Sequence, residues 1–133
     1  MKKLDFHLIL LGMVASGKDT QADLLVAQNP YAVRISTGDI YRGARTPDGP
    51  YGKFHEQIKP YIEYANSGGY IPDEVILPIV DQVIGEHILE GKDTFIFTGF
   101  PRTVEQLQAV DKYTQSLRER YRSISANYVC YAV

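Results

Sequence analysis

The sequence lacks several features that mark particular classes of protein. Its one cysteine, Cys130, cannot form a disulfide within the chain, and with only three scattered histidines it offers no metal-ligand spacing. There is no tryptophan, and no segment approaches the roughly 20 apolar residues of a membrane span. The net charge of -2 excludes a general attraction to nucleic acid or anionic lipid. Any anion-binding site must therefore be local.

What remains is an ordinary globular composition. The chain has 133 residues, of which 44% are apolar, and this length corresponds to one modest domain. The first residues resemble a secretion signal only faintly, because Asp5 and His7 interrupt the apolar run. We therefore expect a cytoplasmic protein.

The most informative segment is a glycine-rich loop, Gly12-Met13-Val14-Ala15-Ser16-Gly17-Lys18-Asp19-Thr20. An apolar run enters it and a helical pattern leaves it. Glycines at both ends let backbone N–H groups point at one spot, where Lys18 and the first helical turn add positive charge. In the standard form of this pattern Ser or Thr directly follows the lysine, so the match is loose. The loop predicts a polyphosphate site, and the alternative is a glycine turn with a surface lysine.

Helical and strand patterns alternate along the chain. Strands are predicted at residues 6–11, 32–35, 94–98 and 128–133, and Cys130 is expected to be buried in the last of these. Helices are predicted at residues 18–28, 39–42, 53–66, 73–91 and 104–122. Pro60 is expected to kink or split its helix, and Pro78 also conflicts with a helical pattern. The alternation predicts an α/β fold with a parallel sheet covered by helices.

Two further motifs follow predicted strands. Ser36-Thr37-Gly38-Asp39-Ile40-Tyr41-Arg42 comes after the second strand, and Gly99-Phe100-Pro101-Arg102-Thr103 comes after the third. Because ligands of open parallel sheets lie outside the carboxyl ends of the strands, these segments should meet the glycine-rich loop at one edge. Each brings an arginine. A single arginine is more often a solvated surface charge, but two facing a phosphate loop can hold a second phosphate through bidentate bonds.

On these residues the chain resembles an adenylate kinase of the nucleoside monophosphate kinase family. The resemblance covers nearly the whole chain, and four segments carry it in the order of the family: the loop with Gln21, Ser36-Thr37-Gly38-Asp39 with Arg42, Gly69-Tyr70-Ile71-Pro72-Asp73-Glu74, and Gly99-Phe100-Pro101-Arg102-Thr103 with Gln106.

The resemblance implies a role for each matching residue. ATP would be bound by Gly12, Ala15, Ser16, Gly17, Lys18, Asp19 and Thr20. AMP would be bound by Thr37, Arg42, Gly69, Tyr70, Ile71, Gly99, Phe100, Pro101, Arg102 and Gln106. Lys18 would reach the transferred group, while Arg42 and Arg102 would hold the AMP phosphate. These three form the implied catalytic set.

The resemblance also implies an organisation and a reaction. The fold would be a three-layer P-loop fold, with a core at residues 1–35, a helical insert that binds the monophosphate at 36–71, and the core again at 72–133. The reaction would be reversible phosphoryl transfer, in which ATP and AMP give two ADP, with Mg²⁺ accompanying ATP. Such transfer needs mainly positioning and charge neutralisation. We expect a monomer that binds nucleotides and neither nucleic acid nor membranes.

Three positions within the chain depart from the family pattern. Ala15 replaces a third glycine of the loop. Asp19 replaces a small residue, and it can serve the helix dipole, help to hold Mg²⁺ through water, or repel a phosphate. Thr98 stands where the family has an acid that orients Mg²⁺, and Asp39 or Asp19 would have to substitute for it.

A fourth departure lies at the end of the sequence. The family continues beyond this point with a lid and its arginines, and Arg118, Arg120 and Arg122 do not replace them because they precede the last strand. We expect this polypeptide to be part of a longer adenylate kinase and to have little kinase activity by itself, because a lid excludes water and neutralises charge.

Three other functions stay open. A kinase for UMP, CMP or GMP would differ in few base contacts, although Thr37 and Gln106 favour adenine. A non-catalytic binder of adenine nucleotides would keep the loop without turnover. A P-loop kinase of the shikimate type is disfavoured by the run from Gly99 to Gln106. The histidines are assigned no catalytic role, and His7 is expected on a polar face or at the sheet end.

Overall fold

The protein contains a four-stranded parallel sheet. The structure, a computed structural model, describes residues 6–12, 16–101, 103–121, 124–125 and 127–132. The strands are β1 (His7–Leu11), β2 (Ala32–Ser36), β3 (Thr94–Thr98) and β4 (Tyr128–Ala132). Their order is β2-β3-β1-β4, and every neighbouring pair is parallel. The predicted α/β class with a parallel sheet is confirmed.

Helices connect the strands. They are α1 (Lys18–Gln28), α2 (Thr37–Ala44), α3 (His55–Ile58), α4 (Ile62–Asn66), α5 (Asp73–Leu89) and α6 (Val104–Arg120), with 3-10 turns at Gly52–Phe54 and Lys59–Tyr61. The helix predicted at residues 53–66 is divided at Pro60, whereas α5 continues through Pro78. In the described part of the chain, no helix is both long and apolar enough to cross a membrane.

The chain divides into two compact units. The first contains residues 1–36 and 86–133, and the second contains residues 37–85. The predicted insert at 36–71 falls almost entirely within the second unit, which extends further, into α5. The nucleotide-binding tasks assigned to these segments stay predictions.

The register of the strands decides which side chains face α1. Leu10 and Ile96 lie on one face of the sheet and pack with Ala22 of α1 in a buried cluster. Arg34 pairs in register with Ile96 and therefore shares that face. All five residues of β3 are buried, as expected of a central parallel strand covered on both faces.

The prediction that Cys130 is buried is wrong. In the structure Cys130 is exposed, and its neighbours Val129 and Tyr131 are also exposed. The reason is the strand order: β4 lies at the edge of the sheet and pairs with β1 alone among the described strands. An apolar run cannot distinguish a central strand from an edge strand.

His7 lies at the end of the sheet, one of the two expected places, and its side chain is buried and not on a polar face. It is the first residue of β1, is 1% exposed, and stacks on Phe95 with ring centroids 5.3 Å apart. Its Nδ1 accepts a hydrogen bond from the Phe95 N–H at 3.1 Å, so its Nε2 donates to the Ser125 carbonyl at 2.8 Å. The bond that Nδ1 accepts requires the neutral ring, because a protonated imidazole donates from both nitrogens. Because His7 lies at the amino end of β1, it stands away from the edge where the candidate site lies.

The burial of His7 predicts how stability depends on pH. Burial lowers the pKa of His7 below its usual 6.5, although the Ser125 carbonyl and the Asp93 carboxylate oppose this shift. As pH falls below 6.5 the unfolded chain takes up a proton that the folded chain resists. The free energy of unfolding should therefore decrease from pH 7.5 to pH 5.5 in urea titrations. His7→Gln should flatten this dependence, and an unchanged slope in His7→Gln contradicts the assignment.

Candidate functional site

Three strands end at one edge of the sheet, and candidate site residues follow those ends. Leu10 of β1 and Ser36 of β2 both pair in register with Thr98, the last residue of β3. Gly12 directly follows β1, and Gly99 directly follows β3. Gly12 and Gly99 therefore follow neighbouring strand ends within the first unit, at the edge where parallel sheets bind ligands.

The start of α1 has the form of an anion-binding helix terminus. Gly17 is the N-cap and has φ 92°, a left-handed conformation that favours glycine. No side chain among the described residues caps α1, whereas the Thr103 hydroxyl caps α6 by accepting from the Gln106 N–H at 3.1 Å. A helix that starts at Lys18 without a side-chain cap presents N–H groups to an anion. Ala15, another predicted ATP contact, lies outside the described residues.

Two hydroxyl groups at this edge of the sheet are buried. Ser16 Oγ and Thr98 Oγ1 have no hydrogen-bond partner within the described part of the chain, and Thr98 is 0% exposed. A buried hydroxyl left without a partner costs about 1–3 kcal/mol. Because both hydroxyls lie at the edge where parallel sheets bind ligands, they are a local indication of a polar binding site.

Asp19 is held by a residue that the sequence analysis did not single out. Arg34 Nη1 lies 3.2 Å from Asp19 Oδ1, and Arg34 Nε lies 3.6 Å from Asp23 Oδ1. Two features of the sequence pointed to this contact. Arg34 is a charge inside an otherwise apolar strand, and Asp19 and Asp23 are four residues apart on α1, hence on one helix face.

In the segment after β3, the backbone is better placed than the side chains to contact a ligand. Gly99 has φ 74°, again in the left-handed region. Phe100 is 4% exposed, with its ring centroid 6.4 Å from that of Phe97, and Pro101 is also buried. If Phe100 and Pro101 contact a nucleotide as predicted, they must do so mainly through main-chain atoms. Arg102 lies outside the described residues.

In the second unit, Arg42 lies along α2, the helix that Thr37 begins. Arg42 Nη2 donates to Asp39 Oδ1 at 2.6 Å, and a Cβ atom at Gly38 would lie 3.1 Å from Arg42 Nη1. The Arg42 side chain is 59% exposed. Because a guanidinium has five N–H donors, the bond to Asp39 orients Arg42 and leaves other donors for a phosphate.

A tyrosine connects α2 to the segment that precedes Gly69, Tyr70 and Ile71. The Tyr41 hydroxyl donates to Asn66 Oδ1 at 2.6 Å, where α4 ends. Gly69 donates its N–H to the Tyr64 carbonyl, and a Cβ at Gly69 would lie 2.4 Å from the Tyr64 ring. Within the second unit the structure thus ties together both sets of predicted AMP contacts, those on α2 and those at residues 69–71.

We expect Tyr41→Phe to weaken AMP binding. The substitution removes only the hydroxyl that fixes α2 to Asn66, so the dissociation constant for AMP should rise about three- to tenfold while that for ATP stays unchanged. Calorimetry with each nucleotide measures both. Tyr128→Phe is the matched control, because it removes a hydroxyl bonded to Asp111 at 3.2 Å in the first unit. Equal AMP affinity in Tyr41→Phe and the wild-type chain contradicts the prediction.

The described residues form no metal cage. Among them, no group of three or more His, Cys, Asp or Glu side chains is placed to hold a metal ion. Asp19 and Asp39, the carboxylates predicted to assist Mg²⁺, lie in ion pairs with Arg34 and Arg42. The donor set fits a metal ion carried by a nucleotide, with the unpartnered hydroxyl of Thr98 as a candidate contact to its water.

Comparison with known proteins connects this geometry to one family. A family model described as adenylate kinase matches residues 10–127. The chain is 36% identical over 110 residues to an adenylate kinase of Hyphomonas neptunium, covering 83% of this chain and 53% of that protein. It is 39% identical over 110 residues to the Nitrobacter winogradskyi adenylate kinase, covering 83% and 49% of the two chains. The Lactobacillus delbrueckii enzyme is 35% identical over 120 residues, covering 90% and 51%. The chain spans about half the length of the curated relatives it matches.

Proposed function

Because this chain belongs to the adenylate kinase family, we propose that its protein transfers a phosphoryl group reversibly from ATP to AMP, giving two ADP. The observation that carries the proposal is the sheet edge. It contains a glycine-capped helix start and two buried hydroxyls that have no hydrogen-bond partner among the described residues. Positioning and charge neutralisation are what phosphoryl transfer requires. The residues at this edge would supply both the positioning and the charge neutralisation.

The ATP phosphates are proposed to lie in the glycine-rich loop. Backbone N–H groups from Ser16 to Thr20 would donate to phosphate oxygens, and Lys18 would neutralise the group being transferred. Gly12 would allow the close approach of the loop to the phosphates, as would a small side chain at Ala15.

The AMP contacts are proposed residue by residue, from the resemblance. Arg42, oriented by Asp39, is proposed to bind the phosphate, and Arg102 is assigned the same role. Thr37, residues 69–71 and Gln106 would surround the base, and Gly99, Phe100 and Pro101 would support it through the backbone.

Mg²⁺ is proposed to enter with ATP and, when bound, to neutralise charge on the phosphates. Thr98 and Ser16 would contact its water shell through their hydroxyls, which are buried and have no hydrogen-bond partner in the described part of the chain. We also propose that the protein acts as a monomer in the cytoplasm.

Calorimetry with different monophosphates tests the proposed substrate. AMP should bind at least tenfold more tightly than UMP or GMP, since a site that bonds one base edge leaves groups unpaired with another. Equal affinities favour a kinase of broader or different base preference. Phosphate exchange measured after a lid-bearing C-terminal piece is added separates a kinase from a non-catalytic binder, which would bind nucleotides without exchange.

A further inference from the structure

An ion pair lies beside the loop to which the proposed function assigns the ATP phosphates. Arg34 Nη1 is 3.2 Å from Asp19 Oδ1, and Asp19 directly follows Lys18 in the first turn of α1. Asp23, one turn further along α1, is 3.6 Å from Arg34 Nε. One guanidinium on the sheet thus contacts two carboxylates on the helix above it.

The position of Asp19 poses an electrostatic problem. Under the proposed function, several negative charges of ATP gather at the start of α1, one residue from this carboxylate. A carboxylate turned toward the phosphates would repel them, and Coulomb energy at such short range is appreciable even in water. The sequence alone left open whether Asp19 repels phosphate, assists Mg²⁺ or serves the helix dipole.

We propose that Arg34 is a positioning residue for ATP binding, because its ion pair draws the Asp19 carboxylate toward β2 and away from the phosphates. The inference rests on the proposed function, since it concerns the same phosphate site. Arg34 acts through Asp19 and needs no contact with the nucleotide.

The register of β2 and the exposure of the pair support this role. Arg34 pairs in register with Ile96 and so lies on the face covered by α1, where it can reach Asp19 and Asp23 together. The Asp19 side chain is 57% exposed and that of Arg34 is 25% exposed. Ion pairs as exposed as this one add little to folding stability. The Asp19–Arg34 ion pair therefore fixes the position of the Asp19 carboxylate and contributes little to folding stability.

A double-mutant cycle on ATP affinity tests the proposal. Arg34→Met should weaken the binding of metal-free ATP about five- to tenfold, because Asp19 is released. In the wild-type chain, where Arg34 already holds the carboxylate, Asp19→Asn should change the affinity for metal-free ATP less than it does in the Arg34→Met background. In the Arg34→Met background, Asp19→Asn should recover most of the loss. Such non-additivity is the signature of a direct coupling between the two residues.

Asp23→Asn is the matched control, since it makes the same change of charge one turn away from the loop. It should not restore ATP binding to Arg34→Met, and AMP affinity should stay constant in every variant. Two results would overturn the proposal: an equal effect of Asp19→Asn in both backgrounds, or an equal rescue by Asp23→Asn. Weaker Mg·ATP binding on adding Asp19→Asn to Arg34→Met would also overturn it, because it would assign Asp19 to the metal.

Thermal unfolding of each variant shows whether it folds. If Arg34→Met does not fold, Arg34→Gln replaces it in the double-mutant cycle, and the same non-additive effect on ATP affinity is expected. A folded wild-type chain that does not bind ATP contradicts the proposed function and this inference together. A chain that binds ATP but gives an additive cycle contradicts the inference alone.

Discussion

Replacing Lys18 by methionine is expected to weaken ATP binding by about 10- to 100-fold. The substitution keeps the length and apolar stem of the side chain but removes its charge, and a hydrogen bond to a charged group contributes about 1.5–3 kcal/mol. Lys18 opens α1, so its loss removes the one side-chain cation that the proposed function places against the transferred group. Calorimetric titration with ATP measures the effect.

Lys112→Met is the matched control for this substitution. Lys112 is exposed on α6, and its replacement makes the same change of net charge away from the loop. ATP affinity should be nearly unchanged in this variant. Similar losses in Lys18→Met and Lys112→Met would mean that overall charge, and not the loop, attracts ATP.

Replacing Arg42 by alanine should weaken AMP binding by a similar factor, about 10- to 100-fold, and leave ATP binding unchanged. The guanidinium is proposed to hold the AMP phosphate, and its removal also leaves the Asp39 carboxylate without the partner that lies at 2.6 Å. Part of the loss should therefore be repulsion by Asp39. Adding Asp39→Asn to Arg42→Ala should recover the AMP affinity that is lost to this repulsion, and no more.

Arg45→Ala provides the control for Arg42. Arg45 lies just after α2, with its guanidinium carbon 5.7 Å from the centre of the Tyr41 ring, and its removal changes the net charge equally. AMP affinity should fall by no more than about twofold. If Arg45→Ala lowers AMP affinity as much as Arg42→Ala does, the assignment of Arg42 to the AMP phosphate is wrong.

Local patterns in the sequence were sufficient to predict the limits of α1 and β3. The limits of α1 and of β3 agree with the predicted residues 18–28 and 94–98, because Asn29-Pro30 ends the helix and β-branched or aromatic residues form the whole strand. The parallel sheet followed from the alternation of these patterns. The division of the helical segment around Pro60 was also predictable, since proline removes a backbone donor.

Features that depend on the order of strands were not predictable from local patterns. Cys130 belongs to an apolar run, yet it is exposed because β4 lies at the edge of the sheet. The burial of His7 depends on Phe95 and Ser125, which are 88 and 118 residues away in sequence. Composition and periodicity describe neighbours along the chain, and these contacts are between distant segments.

The candidate site also contains some features that local sequence patterns predict and others that they do not. The loop and the motifs after β2 and β3 were identified from residue types at fixed spacing. The pairing of Asp19 with Arg34 required the register of β2 beneath α1, which no motif contains. A charged residue inside an apolar strand is nevertheless a useful signal, because burial of its stem requires a partner nearby.

The central claim is that the start of α1 binds the phosphates of ATP while α2 and residues 69–71 bind AMP. Titration of the isotopically labelled 133-residue chain, followed by two-dimensional amide NMR, tests it most directly. We predict that ATP shifts the amide signals of Ser16, Gly17 and Lys18, and that AMP shifts those of α2 and residues 69–71. A folded chain whose signals at these positions do not move with either nucleotide at millimolar concentration would contradict the account.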